Sequence, residues 1–442
     1  MRIDRRGILL AGGGIIAARG AAAAAPAPAP PPLPSAYTPP PTFGPNEWAR
    51  VRAQFDLARD RVDMSAMLLT AHPQAVRDAI NRYRLALDST PIEYAEQHNR
   101  RLQNQARAAV GAYMGAPMEN VALTDSTTMG AGLVYNGLKL TPGQEVLTTD
   151  RDYYVTHEAL RLAALKGRGQ VRKIPLYTDG ASVSAIGLTR AVIDEIRPYT
   201  RIVALTWVHS STGVKLPIRA IATEIARINA SRSDYNRVLL CLDGVHGFGN
   251  QPESFAELGC DFFFAGCHKW LFGPRGTGVV IGSAAGWQAM SPTIPTFLDN
   301  AAYSNWISGT PSHECTGAIF SPGGFKAFEH VWAISDAFVL HNWVGKRQVA
   351  ERTAQLADQL KAGLAAMPHV TLHTPRSREL SAGIVAFDVA GRSADQTVGR
   401  LREWRVLATV APYARPHARL TPSIRNTPQE VDFALNAVRA MA

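Results

Sequence analysis

Beyond its N-terminal region the 442-residue chain has no long uninterrupted apolar run, which excludes a hydrophobic membrane-spanning helix in its body and predicts a soluble one. Cysteine is scarce. The four present, Cys241, Cys260, Cys267 and Cys315, form no CxxC pair and no zinc-like spacing. Cys241 and Cys260 lie in or beside apolar, strand-like segments, where a buried free thiol is expected. Basic runs with interleaved aromatics are also missing, although the net charge is +10. Arg2, Arg5, Arg6 and Arg19 against Asp4 supply part of that charge and the rest is scattered, so a solvated basic surface is expected and no nucleic-acid partner. No internal repeat is found.

What is present is the composition of a globular protein, 46% hydrophobic and 19% charged, in a chain long enough for two or three domains. The first 25 residues, with "DRRGILLAGGGIIAARGAAAAAP", pair Arg5 and Arg6 with an apolar block and a small-residue cleavage region. They resemble a twin-arginine signal, which implies a translocase partner during export and a periplasmic or otherwise exported location. Residues 26–45 are a proline-rich tether that cannot pack as helix or sheet. Folding proper is expected from about residue 46, with a large domain to 324 and a small C-terminal domain over 325–442.

From about 120 to 285, short apolar segments ("NVAL", "EVLTT", "VRKIPL", "RIVALTWV", "RVLLCLD", "DFFFAG", "TGVVIGS") alternate with helix-like stretches at 127–138, 154–166, 189–197 and 218–230. This pattern predicts an α/β fold, a mainly parallel seven-stranded sheet covered by helices on both faces. Past 325 come a long amphipathic helical region to 366, short strands, a helix near 394–403 and a last helix from 428, read as a smaller α+β domain joined by part of the N-terminal segment.

In such sheets ligands sit beyond the carboxyl ends of the strands. Lys269 follows the apolar "DFFFAG", a dry setting that lowers a lysine pKa and favours the neutral, nucleophilic amine. Trp270 and Gly266 beside it are consistent with a flat ligand. Alone, a lysine at a strand end is a snorkelling cap. Asp243, at the end of the neighbouring strand-like segment, changes the balance: a buried aspartate holds the proton on the ring nitrogen of pyridoxal phosphate, and a strand-end lysine binds that cofactor covalently. The phosphate needs a cradle, and Ser126, Thr127 and Thr128 supply hydroxyls and backbone N–H groups where a helix begins, more than one N-cap requires. His268 adds a further donor.

The motifs "HKWLFGPRGTG", "LDGVHGFG", "VHSSTGVKLPI", "PGGFKAFEHVWA" and "RLTPSIRNTPQEVD" resemble the class V aminotransferases, fold type I pyridoxal phosphate enzymes, and in particular the isopenicillin N epimerase-like branch. The resemblance spans about 46–442. It implies Lys269 as the cofactor-anchoring lysine and general base, Asp243 at the pyridine nitrogen, and His246 near the phenolic oxygen. It implies Ser126, Thr127, Thr128, Ser210 and His268 as further cofactor contacts, with an aromatic of "DRDYYVTHE", Tyr153 or its neighbour Tyr154, over the ring. It also implies a homodimer in which Ser321 of "FSPGGF" reaches the partner's phosphate, and Arg419 gripping the substrate carboxylate, with Arg415 and Arg425 as alternatives.

Two departures from the family are visible. Arg425 stands where an aromatic usually precedes the Asn-Thr pair. The loop "REWRVLATVAPYARPHA" lacks the reactive cysteine that cysteine desulfurases carry there, which argues against persulfide chemistry through a protein thiol. The resemblance thus implies an enzyme acting on an amino acid or amino-acid-derived substrate through an external aldimine and α-carbanion, with epimerisation, transamination and C–S lysis all open. A non-catalytic periplasmic binding protein of the same fold is the alternative, and Lys269 with Asp243 count against it. No metal site is expected.

Overall fold

The computed structural model describes residues 43–44, 47–167, 169–310 and 315–442; the signal segment 1–25 and nearly all of the 26–45 tether lie outside the described residues. Thirteen strands occur among them: β1 (Val62–Asp63), β2 (Val121–Thr124), β3 (Glu145–Thr149), β4 (Gln170–Ile174), β5 (Thr200–Thr206), β6 (Leu239–Asp243), β7 (Phe262–Gly266), β8 (Gly278–Gly282), β9 (Val370–Leu372), β10 (Val385–Val389), β11 (Val406–Leu407), β12 (Thr409–Val410) and β13 (Ala418–Leu420). β2 to β8 form one seven-stranded sheet in the order β2-β8-β7-β6-β5-β3-β4. Only β8 runs antiparallel to its neighbours, as expected for an α/β domain of this kind.

Strict alternation along the buried strands builds two cores. Leu205, Leu242, Phe263 and Ile281 point to one face, against Ile221 and Ile225 of helix Ile218–Asn229 and Val110 and Met114 of helix Pro91–Met114. Ala204, Cys241, Phe264 and Val280 point to the other, against Ala131 and Val134 of helix Thr127–Gly137 and Leu160 of helix Tyr154–Gly167. Wrapping on both faces leaves only the strand ends open to a ligand. Among the described residues no helix is long and apolar enough to cross a membrane.

The smaller sheet is antiparallel, in the order β12-β13-β10-β9. Val385, Phe387 and Leu420 on one side pack with Leu356, Leu360 and Leu364 of helix Lys346–Ala365 and Val431 and Leu435 of helix Pro428–Arg439. β1 pairs in parallel with β11 as a separate two-stranded sheet, which ties the N-terminal segment to the C-terminal part of the chain.

The stretch 325–366 is not one helix. It is divided into Phe328–Trp332, Ile334–Val344 and Lys346–Ala365, the last break falling at Gly345 with φ +91°, a value L-residues avoid. Val331, Ile334, Ala337 and Phe338 sit in the core of the large sheet, so the change from one core to the other falls near 345 rather than at 325. The helix expected over 189–197 is Ala185–Ile193, because Ser184 caps it, its hydroxyl accepting from the Gly187 N–H at 3.1 Å.

Candidate active site

At the carboxyl ends of β5, β6 and β7 lies a cavity of about 190 Å³, lined by Ser126, Thr127, Thr128, Tyr153, Ser210, Asp243, His246, His268, Lys269 and Arg419. Residues from six separate segments converge there: five follow strands of the large sheet, whose loops leave at one edge, and Arg419 comes from β13 of the small sheet.

Helix Thr127–Gly137 opens at one corner of the cavity. The Ser126 hydroxyl accepts from the Met129 N–H at 3.1 Å, and that of Thr127 accepts from the Gly266 N–H at 2.8 Å. Each hydroxyl therefore has its own proton left to donate. The N–H groups of Thr127 and Thr128 belong to the first turn and have no carbonyl one turn behind them, so the corner presents several donors and a helix N-terminus. Gly266 has a local task here: a Cβ would lie 3.0 Å from the His268 ring and 3.1 Å from Thr127 Oγ1. His268 is held well into its neutral range, at about 4, by burial and by the positive charges of Lys269 and Arg275.

Lys269 sits in a tight turn after β7. The Thr70 hydroxyl binds the carbonyls of both His268 (2.9 Å) and Lys269 (3.0 Å), strapping that turn to the N-terminal segment. Phe272, three residues on, adopts φ +58°, held between the rings of Phe55 and His341. Burial lowers the Lys269 pKa to about 8, opposed by Asp243 and aided by Arg419. Asp243 ends β6 beside Thr206 of β5. Burial raises its carboxyl to about 6, against the Val245 N–H at 3.1 Å and the charge of Lys269.

His246 is buried and kept neutral by that burial and by the nearby cations Lys269 and Arg419. The Trp270 indole N–H donates to its Nδ1 at 3.3 Å. An indole nitrogen can only donate, so Nδ1 accepts and the ring carries its proton on Nε2. Trp270, expected beside a flat ligand, is instead a buried residue behind the cavity wall that sets the tautomer of His246.

Of the two tyrosines, Tyr153 lines the cavity and Tyr154 is 67% exposed on the first turn of its helix. Ser210 bonds the Tyr413 hydroxyl at 2.7 Å, and the Tyr413 ring packs against Tyr153 at 5.8 Å. Arg419 is buried and donates from Nε to Thr409 (3.1 Å) and from its two terminal nitrogens to the carbonyls of Ser210 (2.7 Å) and Val410 (2.8 Å). Two of the five guanidinium N–H groups are left. Burial lowers its pKa only to about 10, so it stays cationic. Arg415 is exposed, and Arg425 is buried beside Asp63, away from the cavity lining.

Ser321 is not among the residues lining this chain's own cavity. Its hydroxyl is buried, accepting from the Leu123 N–H (3.0 Å) and donating to the Gly317 carbonyl (2.8 Å), so it braces the edge of the sheet within its own chain. No cysteine lines the cavity: Cys241, Cys260 and Cys267 are buried, with the Cys267 thiol pushed up to about 12, and Cys315 is exposed.

The sequence reading missed Met67, Leu68, Val155, Thr206, Val245 and Pro412 in the lining. Met67 and Leu68 come from an irregular stretch with no periodic signal. Thr206 was hidden inside an apolar run, yet its hydroxyl is buried without a partner, while its N–H donates to Asp152 at 2.6 Å. Asp152 also accepts from Thr148 and Thr149, which fixes the loop that carries Tyr153.

The aminotransferase class-V family profile matches residues 69–408. Among characterised proteins, the chain is 24% identical over 409 residues to isopenicillin N epimerase of Streptomyces clavuligerus, covering 89% of this chain and 98% of that one. It is 26% identical over 372 residues to a cysteine desulfurase of Pectobacterium atrosepticum, covering 77% and 82%. Among solved structures, a cystine C–S lyase in complex with cysteine persulfide superposes with a TM-score of 0.77 at 22% identity, covering 86% of this chain and 98% of that one. A cysteine desulfurase from Escherichia coli superposes with a TM-score of 0.73 at 22% identity, covering 89% and 98%.

Proposed function

The chain belongs to the aminotransferase class-V family of pyridoxal-phosphate-dependent enzymes, and from that premise we propose that it moves the α-proton of an amino acid or amino-acid-derived substrate. The observation that carries the reading is the convergence, in one cavity, of a neutralisable lysine, a buried aspartate and a donor-rich helix start.

The residues present fit the cofactor. Ser126, Thr127, Thr128 and His268 offer donors suited to a phosphate, Asp243 an acceptor suited to a protonated ring nitrogen, and Tyr153 an aromatic face. When bound, pyridoxal phosphate supplies an electron sink for the pair left by a bond broken at the substrate Cα. Asp243 keeps a proton at the ring nitrogen. A cation placed there would also bring its raised pKa down again. His246, protonated on Nε2, is set to donate to a phenolic oxygen. Lys269 Nζ would hold the cofactor covalently and would be the base positioned to accept and return the α-proton. Arg419 offers its two remaining N–H groups to the substrate carboxylate. The apolar side chains of Met67, Leu68, Val155 and Val245 limit water around the amine.

The branches differ in where the proton or leaving group goes next. The lack of any cysteine in the lining favours, among sulfur chemistries, release of a fragment from the substrate over its transfer to a protein thiol. Incubating the holoenzyme with a panel of amino acids, cystine included, in deuterated water should give α-deuteration of at least one member. Racemised substrate, keto acid or a released sulfur fragment then identifies the branch. Holoenzyme that exchanges no α-proton across the panel would sink the reading.

We further propose that the chain folds around its cofactor, dimerises and is exported folded through the twin-arginine route. Support comes from Arg5 and Arg6 before an apolar block and from the family resemblance. Replacing both arginines by lysine should leave a cofactor-loaded dimer in the cytoplasm. Unimpaired export of that variant, or a single-chain mass by light scattering, contradicts the proposal.

A further inference from the structure

The small-domain sheet has one apolar face and one polar face. Val385, Phe387 and Val389 of β10 turn into the apolar core, so alternation places Asp388 on the opposite side. Two imidazoles meet it there. His373, just past β9, approaches Asp388 Oδ2 through Nε2 at 2.7 Å, and His417, just before β13, lies 3.0 and 3.1 Å from the two carboxylate oxygens through Nδ1. The two rings are 4.0 Å apart, and one donor atom from each of the three residues lies within 4.8 Å of the others. Both histidines are buried, while the Asp388 side chain keeps 36% of its surface, so the cluster is walled on the imidazole side and open at the carboxylate.

We infer that His373, Asp388 and His417 form a binding site for a divalent first-row transition metal ion, separate from the cofactor cavity. Two neutral imidazoles and one carboxylate suit a borderline ion such as Zn²⁺, whereas Mg²⁺ and Ca²⁺ prefer all-oxygen sets. The three ligands come from three adjacent strands, so the backbone brings them together before any ion arrives. Binding takes up the ring nitrogens that now face the carboxylate, so each neutral imidazole then carries its one proton on its other nitrogen. Ligand bonds of about 2.1 Å in a tetrahedral arrangement would open the N···O separations to roughly 3.4 Å, a small rotation of the exposed Asp388 carboxylate. Solvent fills the remaining position on the open side.

The site also has a mechanical link to the cavity. His417 stands one residue before β13 and two before Arg419, so extended alternation turns both to one side, and Arg419 is fastened to the carbonyls of Ser210 and Val410. An ion joining β9, β10 and β13 would stiffen the element that carries Arg419.

The test uses untagged holoenzyme and the metals themselves. After dialysis against Zn²⁺, one equivalent per chain should remain. Co²⁺ should give visible d–d bands, and Zn²⁺ should raise the melting temperature. His373→Ala and Asp388→Asn should each weaken Zn²⁺ binding at least tenfold and abolish the melting shift, with cofactor absorbance unchanged. If His373→Ala does not fold, the near-isosteric Asp388→Asn carries the test. Wild-type protein that retains no stoichiometric metal, or an Asp388→Asn variant that binds as tightly as wild type, overturns the site and leaves the cluster as a hydrogen-bonded clamp between strands.

Discussion

Lys269→Ala abolishes turnover, with a fall of about 10⁴-fold or more, because one substitution removes both the covalent anchor and the base that handles the α-proton. Borohydride treatment of wild-type holoenzyme should fix the cofactor on the peptide containing Lys269, and the variant should give no adduct. The alanine protein should melt no lower than the wild type, since the lysine is a buried group whose charged form is disfavoured by desolvation. That combination, lost chemistry with retained stability, separates a catalytic lysine from a structural strand cap. An adduct on another lysine, or a variant within tenfold of wild-type turnover, would remove Lys269 from its role. The pH dependence follows from the sign of the shift. With a pKa lowered to about 8 the amine is neutral above that pH and cationic below it. At pH 7 some ~10% is neutral, against well under ~0.1% for an unperturbed lysine. Cofactor uptake by the apoprotein should therefore accelerate from pH 6 and level off above about 8.

Asp243→Asn should leave cofactor uptake and the Lys269 adduct in place while turnover falls about 10²–10³-fold, the size of effect seen when one preorganised electrostatic partner is removed. Asparagine has nearly the same shape and can still accept the Val245 N–H, but it carries no negative charge to hold a proton on the ring nitrogen. Burial raises the Asp243 carboxyl to about 6 even against the Val245 N–H and the charge of Lys269, so a further cation at the carboxylate would favour its ionised form. An absorbance spectrum of the bound cofactor that shifts in the variant would support the assignment, and activity within threefold of wild type would refute it. Asp243→Glu serves as a control: it restores the charge at the wrong reach and should recover part of the rate.

Much of the fold is legible in sequence because a doubly covered parallel sheet writes itself as apolar runs. "FFFAG" and "LLCLD" are buried along their whole length, and each ends where polar residues begin. Breaks were harder to read. Whether 325–366 holds one helix or three depends on Gly345 adopting φ +91° and on which core each helix meets, and neither is a periodic property. In the site, the strand-end residues Lys269, Asp243 and His268 were legible for the same reason as the strands. Met67 and Leu68 were not, because their place in the cavity depends on a chain excursion that pairs β1 with β11.

By itself the sequence determined the alternation of strands and helices, the positions of Lys269 and Asp243 at strand ends and the hydroxyl cluster at 126–128, since these depend on local order and periodicity. Only the tertiary structure decided what depends on neighbours distant along the chain. It placed Tyr153 rather than Tyr154 in the cavity and turned Trp270 to the back of His246. It engaged three Arg419 donors with carbonyl and hydroxyl oxygens, enclosed Ser321 against Leu123 and Gly317, and gathered His373, Asp388 and His417 from three strands. Side-chain direction and hydrogen-bond partnership arise from packing between segments, and no spacing along the chain encodes them.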